Sequence, residues 1–139
     1  MNLKPYSSTA LSLAGLLLAG MGLYFIFIRP PLLPEDLRYM GSALQNVNNN
    51  IPGLANWLKK VFWVMGTYIF TTGLLTVFIS FTSFRKHLPG AFIIVALAGI
   101  SSIGSMTVVN FMIGSDFKWV LLAFTLPWVF ALILYRLHK

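Results

Sequence analysis

Uncharged runs and short groups of charged residues alternate along this chain, and four of the runs are long enough to cross a lipid bilayer. An α-helix rises about 1.5 Å per residue, so about 20 apolar residues cross a hydrocarbon core about 30 Å thick. The pattern predicts an all-α membrane protein, a four-transmembrane-helix bundle that forms a single transmembrane domain over residues 1–139. The predicted spans cover about 7–28, 61–84, 89–113 and 118–136.

The connection between the first two predicted spans, residues 29–60, is much longer than the other two connections. Pro34 is followed by Glu35 and Asp36, an order typical of a helix start, because proline suits the first turn and acids suit the positive end of the helix dipole. Apolar residues then recur every three or four positions, at Leu37, Met40, Leu44 and Val47. We expect a single amphipathic helix through these positions, in a loop segment of about 34–58 that lies at the membrane surface or caps the bundle.

Composition indicates lipid rather than water as the solvent of most of the chain. Hydrophobic residues make up 58% of it and charged residues 9%, against about 25% charged residues in ordinary soluble domains. The net charge of +7 would also suit nucleic acid, but the basic residues lie in small groups at the edges of apolar runs, where they meet lipid headgroups. We therefore expect membrane lipids as partners, and no nucleic acid.

The chain has no cysteine, and its two histidines, His87 and His138, lie beside other cations. The absence of cysteine excludes disulfides and thiolate chemistry, and neither histidine has a second ligand at helical spacing. Nucleotide-binding loops and hydrolase motifs are also missing. The sequence thus predicts no metal, no cofactor and no catalytic residue.

Lysine and arginine are evenly divided between the two predicted sides, with five on each, so the positive-inside rule does not decide the orientation. The size and the four-span outline are typical of small bacterial membrane proteins, which favours a bacterial inner membrane. We expect both termini in the cytoplasm. The first apolar run lacks a small-x-small cleavage site, so it is interpreted as a retained helix rather than a signal peptide.

Small residues follow one strip of the first predicted helix at spacings of three and four: Ser8, Ser12, Gly15, Ala19 and Gly22. Such a strip lets another backbone approach closely, which drives helix association in lipid. Packing against another span of the same chain is the simpler interpretation, and homodimerisation is the alternative.

Polar residues form stripes on the second and third predicted helices. The second carries Thr72 and Thr76, with Ser80 and Ser83 further along, and the third carries Ser101, Ser102, Ser105 and Asn110. The two stripes are expected to face each other, either as interhelical hydrogen-bonding groups or as the lining of a cavity for a small amphiphilic ligand, with Asn110 as its strongest donor and acceptor.

Two further sets of residues are candidates for ligand binding. Trp128 follows Pro127, which kinks the fourth predicted helix and exposes a backbone carbonyl, so Trp128 is expected to line a cavity at the kink or to serve packing alone. Glu35, Asp36 and Arg38 form the densest charged group. They would meet the polar end of a lipid-like ligand at the headgroup level, although helix capping alone explains the two acids.

These features favour a small membrane protein that acts through helix packing, as an oligomer or as an accessory subunit of a larger membrane protein. The alternative is a binder, carrier or modifier of a lipid-like molecule in an intramembrane pocket. An enzyme is less favoured. Apart from Lys118 and Arg136 at the two ends of the fourth, no charged residue lies inside a predicted span, which argues against a proton-coupled transporter.

Overall fold

The computed structural model describes residues 4–137, and this part of the chain is helical without strands. Its helices are α1 (Lys4–Phe27), α2 (Pro34–Met40), α3 (Leu44–Asn50), α4 (Leu54–Ile79), α5 (Ala91–Gly99), α6 (Ser105–Met112) and α7 (Lys118–Leu137). A π-helical turn, Ser80–Phe84, extends α4, and a second, Ile100–Gly104, joins α5 to α6.

Four helices are long and apolar enough to cross a membrane, which confirms the prediction of four membrane-crossing helices. They are Tyr6–Phe27, Leu54–Phe84, Ala91–Met112 and Lys118–Leu137, here called the first to fourth spans. The second span begins earlier than the predicted residue 61, because the turn at Pro52 and Gly53 already starts the helix. Lys59 and Lys60 therefore lie on a helix that continues beyond the apolar segment.

The first span is the central helix of the structure. It packs along the second span on one side and along the fourth on the other, and the third span packs against the fourth. The third span meets the second mainly where α5 approaches the turn Ser80–Phe84. A buried apolar cluster joins the first and fourth spans, and it includes Leu11, Ala14, Leu18, Trp128, Ala131 and Tyr135. Beyond the turn Ser80–Phe84, the second and third spans leave space between them.

The strip of small residues on α1 lies against the second span. A Cβ atom on Gly73 would come within 2.7 Å of the Gly15 carbonyl oxygen and 2.8 Å of the Ala19 Cα, so the two backbones are almost in contact. Near the N-terminal end of α1, the Ser8 hydroxyl donates to the carbonyl oxygen of Ser80 at 2.6 Å. Ser80 is the first residue of the π-helical turn. The strip is therefore covered within the chain.

The long first connection contains two short helices instead of the single predicted one. Gly41 ends α2 in the left-handed conformation, with φ of 62°, which glycine adopts without steric cost. The N–H groups of Gly41 and Ser42 donate back to the carbonyl oxygens of Arg38 and Leu37, which closes the end of the helix. The apolar spacing continues through this break, but the helical conformation of the backbone does not.

Candidate functional site

A cavity of about 590 Å³ lies between the four spans, with the first connection closing one end. Most of its wall is apolar. The first and second spans contribute Leu16, Leu17, Gly20, Met21, Tyr24, Phe25, Phe62 and Met65. The third and fourth spans, with the turn between them, contribute Met106, Val109, Asn110, Ile113, Phe117, Val120, Leu121 and Phe124. At the closed end the wall is formed by Arg29, Leu33, Glu35 and Asp36. We call this space the main cavity and its charged end the polar end.

Glu35 is the most deeply buried charged side chain at the polar end, with 3% of its surface exposed. Its Oε1 accepts a hydrogen bond from the Ser115 hydroxyl at 3.1 Å. Ser115 is itself buried, and its oxygen accepts the backbone N–H of Phe117 at 3.1 Å. Gly114, with φ of 65°, makes the turn that brings Ser115 to this position. The turn between the third and fourth spans therefore fixes the carboxylate of α2 at the cavity wall.

Arg29 and Asp36 form a second, internal pair at the same end. The Arg29 Nη2 lies 3.3 Å from the Asp36 Oδ2, which also accepts the Leu33 N–H at 2.8 Å. The guanidinium carbon sits 3.6 Å from the ring centre of Phe62. Burial lowers the pKa of Arg29, and the charge of Asp36 raises it in opposition. Since arginine stays protonated in proteins, the two charges neutralise each other.

Arg38 lies outside the main cavity, although the sequence suggested it as a ligand-binding residue. Its guanidinium contacts the Asp116 carboxylate at 2.8 Å, and both side chains are well exposed. The hydrogen bond to Asp116 raises the pKa of Arg38. Exposed pairs of this kind contribute little stability, so this pair mainly joins the outer side of α2 to the turn before the fourth span.

The polar stripes of the second and third spans line a groove of about 400 Å³ between these two spans. Thr72 lies on one wall and Ser101, Ser102, Ser105 and Asn110 on the other. Their hydroxyls donate to carbonyl oxygens of their own helix, as Thr72 does to Tyr68 at 2.8 Å and Ser101 to Leu97 at 2.8 Å. They do not bridge the two spans. Thr76 does not line the groove. It is buried, and its hydroxyl donates to the Thr72 carbonyl oxygen.

Asn110 belongs to the groove and to the main cavity, together with Met65, Met106 and Val109. Its Nδ2 donates to the Met106 carbonyl oxygen at 2.9 Å. The groove and the main cavity are therefore neighbouring spaces with a shared wall, and Asn110 is the polar residue at their boundary.

Trp128 lines neither space. It is 3% exposed, and its indole N–H donates to the Val95 carbonyl oxygen at 2.9 Å. The ring covers Gly99, where a Cβ atom would lie 2.7 Å from the Trp128 Cδ1. The structure thus gives Trp128 a role in packing the third span onto the fourth.

Sequence reasoning did not find the role of Ser115, which holds Glu35 from a distant part of the chain. The sequence signal for this role is weak, since it consists of a glycine, Gly114, in the turn before the fourth span. Comparison with known proteins finds no match: no protein-family model, curated protein or solved structure is significantly similar to this chain. The geometry of the site is therefore the basis for any proposal of function.

Proposed function

We propose that this protein binds a single membrane amphiphile between its spans, with the apolar part of the ligand in the main cavity and its polar group beside Glu35. One observation carries the proposal: an apolar cavity of about 590 Å³ that ends at a buried carboxylate. Small-molecule sites usually enclose about 300–1,000 Å³, with mostly apolar walls and a few polar groups. The cavity therefore has the size and the polarity gradient of an amphiphile site.

The first connection acts in this proposal as an amphipathic cap over a four-helix bundle. Leu33 and Glu35 face the cavity, while Arg38 faces solvent and contacts Asp116. Two contacts, Glu35 with Ser115 and Arg38 with Asp116, hold α2 on the turn before the fourth span. We place the bundle in a bacterial inner membrane with cytoplasmic termini, so that the cap lies at the opposite headgroup level.

Association with another chain is the less supported function. The small-residue strip offered for it is buried against the second span, where Gly15 and Gly22 contact Gly73 and Phe70. A homodimer could not use this strip without opening the first two spans. An accessory role in a larger membrane protein would need a different surface.

Filling the main cavity should remove the ligand. Gly20 lines the cavity, and a Cβ atom there would meet no atom within 4 Å, so Gly20→Phe can place a ring in the space without displacing the backbone. We expect native mass spectrometry from mild detergent to find one bound amphiphile per unmodified chain, and at least about a tenfold lower occupancy in this variant. Leu23→Phe is the control, because Leu23 is exposed on the same helix and does not line the cavity. Equal occupancy in both variants, or a ligand-free unmodified protein, would refute the proposal.

The groove between the second and third spans is the proposed route of entry from the bilayer, because it shares its inner wall with the main cavity. Ser101 lines the groove but not the cavity. We expect Ser101→Phe to slow exchange of a labelled amphiphile by about tenfold at unchanged equilibrium occupancy, since a barrier alters rates and not affinity. Ile100→Phe, on the neighbouring exposed residue outside the groove, should leave exchange unchanged. Similar exchange rates in both variants would exclude this route.

A further inference from the structure

The charges at the polar end of the main cavity do not balance. Asp36 and Arg29 form a neutral pair at 3.3 Å. Glu35 receives a hydrogen bond from Ser115, which is an uncharged donor. Among the lining residues that the structure describes, Arg29 is the only basic side chain. The polar end therefore carries one carboxylate in excess.

A buried carboxylate is costly unless a cation or several hydrogen-bond donors accompany it. Glu35 is 3% exposed and accepts one hydrogen bond, from the Ser115 hydroxyl. Arg29 and Arg38 also interact electrostatically with Glu35, but their ion pairs are with Asp36 and Asp116. Among the described residues, no cation is therefore paired with Glu35. Phe117, whose N–H donates to the Ser115 oxygen, adds an aromatic ring to the cavity wall near this end. A carboxylate and an aromatic ring that line the same cavity both attract a cation.

We infer that the amphiphile is an amine, with a protonated amino group that donates to Glu35 and an alkyl chain that fills the main cavity. This inference rests on the proposed function and names its ligand class. An ammonium group makes the polar end neutral, whereas a hydroxyl group would leave the excess charge buried. An anionic headgroup would meet two carboxylates, and the guanidinium that lines the cavity, that of Arg29, is already paired to Asp36. Repulsion of that kind is how a site excludes the wrong ligand.

Three probes with the same alkyl chain test the inference on the intact protein in uncharged detergent: dodecylamine, dodecanol and dodecanoate. We expect dodecylamine to bind at least about tenfold more tightly than the other two at neutral pH, with Gly20→Phe measured in parallel to subtract partitioning into micelles. Glu35→Gln should remove the preference for the amine. Asp116→Asn is the matched control, because it removes a carboxylate that contacts the cap from the turn before the fourth span and does not line the cavity, and it should keep the preference.

The comparison of probes on the unmodified protein stands even if Glu35→Gln fails to fold. Dodecanol or dodecanoate binding as tightly as dodecylamine, with all binding lost in Gly20→Phe, would overturn the amine inference and leave the proposed function in place. Binding of every probe that Gly20→Phe does not reduce would overturn the proposed function itself. A preference for the amine that survives Glu35→Gln in a folded protein would also overturn the inference.

Discussion

Replacing Gly73 with leucine is expected to lower the free energy of unfolding by about 3 kcal/mol, at the upper end of the usual cost of overpacking. Its Cβ position is enclosed by backbone atoms of the first span, including the Gly15 carbonyl oxygen at 2.7 Å. Backbone atoms cannot move aside as the end of a flexible side chain can. The first and second spans would have to separate, which would also expose the Ser8 hydroxyl bonded to Ser80. Unfolding by sodium dodecyl sulfate in mixed micelles, followed by circular dichroism, measures the change.

Gly20→Leu is the matched control for this substitution. It makes the same chemical change on the first span, at a position where a Cβ atom meets nothing within 4 Å. Leucine also favours the helix by up to about 1 kcal/mol over glycine, so Gly20→Leu should unfold at the same detergent fraction as the unmodified protein or a higher one. If the two variants unfolded alike, the first two spans would not be as close as the structure has them.

Gly99→Ala is expected to lower the free energy of unfolding by about 1–3 kcal/mol, because the added methyl group overlaps the indole of Trp128. This second prediction is sharper as a double-mutant cycle. A phenylalanine at position 128 lacks the pyrrole edge that covers Gly99, where the Trp128 Cδ1 is 2.7 Å from the added Cβ. Adding Gly99→Ala to Trp128→Phe should therefore cost little, with a coupling of about 1 kcal/mol or more.

Trp128→Phe alone should cost about 0.5–1.5 kcal/mol through the lost hydrogen bond to the Val95 carbonyl oxygen. Gly104→Ala is the control for a glycine-to-alanine change in the third span. The nearest atom to the added Cβ is there the Gly99 carbonyl oxygen at 3.1 Å, and not an atom of Trp128. Strict additivity of Gly99→Ala and Trp128→Phe would mean that the indole does not cover Gly99.

The positions of the four spans could be predicted because a single physical property decides them. Charged residues are expensive in hydrocarbon, so the ends of the uncharged runs lie close to the ends of the helices, such as Phe27 before Arg29 and Phe84 before Arg85. The predicted start of the second span is less accurate, because Lys59 and Lys60 are charged but lie on the same helix as the apolar residues that follow. Charge marks the edge of lipid and not the end of a helix.

The site depended on contacts that no local pattern encodes. Glu35 and Asp36 were interpreted as helix-start residues, and Asp36 does accept the Leu33 N–H. Glu35 instead reaches Ser115, eighty positions away in the chain. Trp128 and Pro127 suggested a cavity at a kink, but the indole covers Gly99. These contacts depend on which spans pack against each other. The small residues of the first span indicate close helix packing, but they do not identify the partner helix.

On the proposed function, a chain emerging from the ribosome cannot hold an amphiphile until its fourth span has entered the membrane. The fourth span supplies Leu121 and Phe124 to the cavity wall, and the residue that holds Glu35, Ser115, is made just before that span. Earlier in synthesis the face of α1 that carries Leu11 and Leu18 has no fourth span to cover it. Ligand capture is thus a late event of biogenesis, and a product truncated before Phe117 would reach the bilayer with its cavity unbuilt.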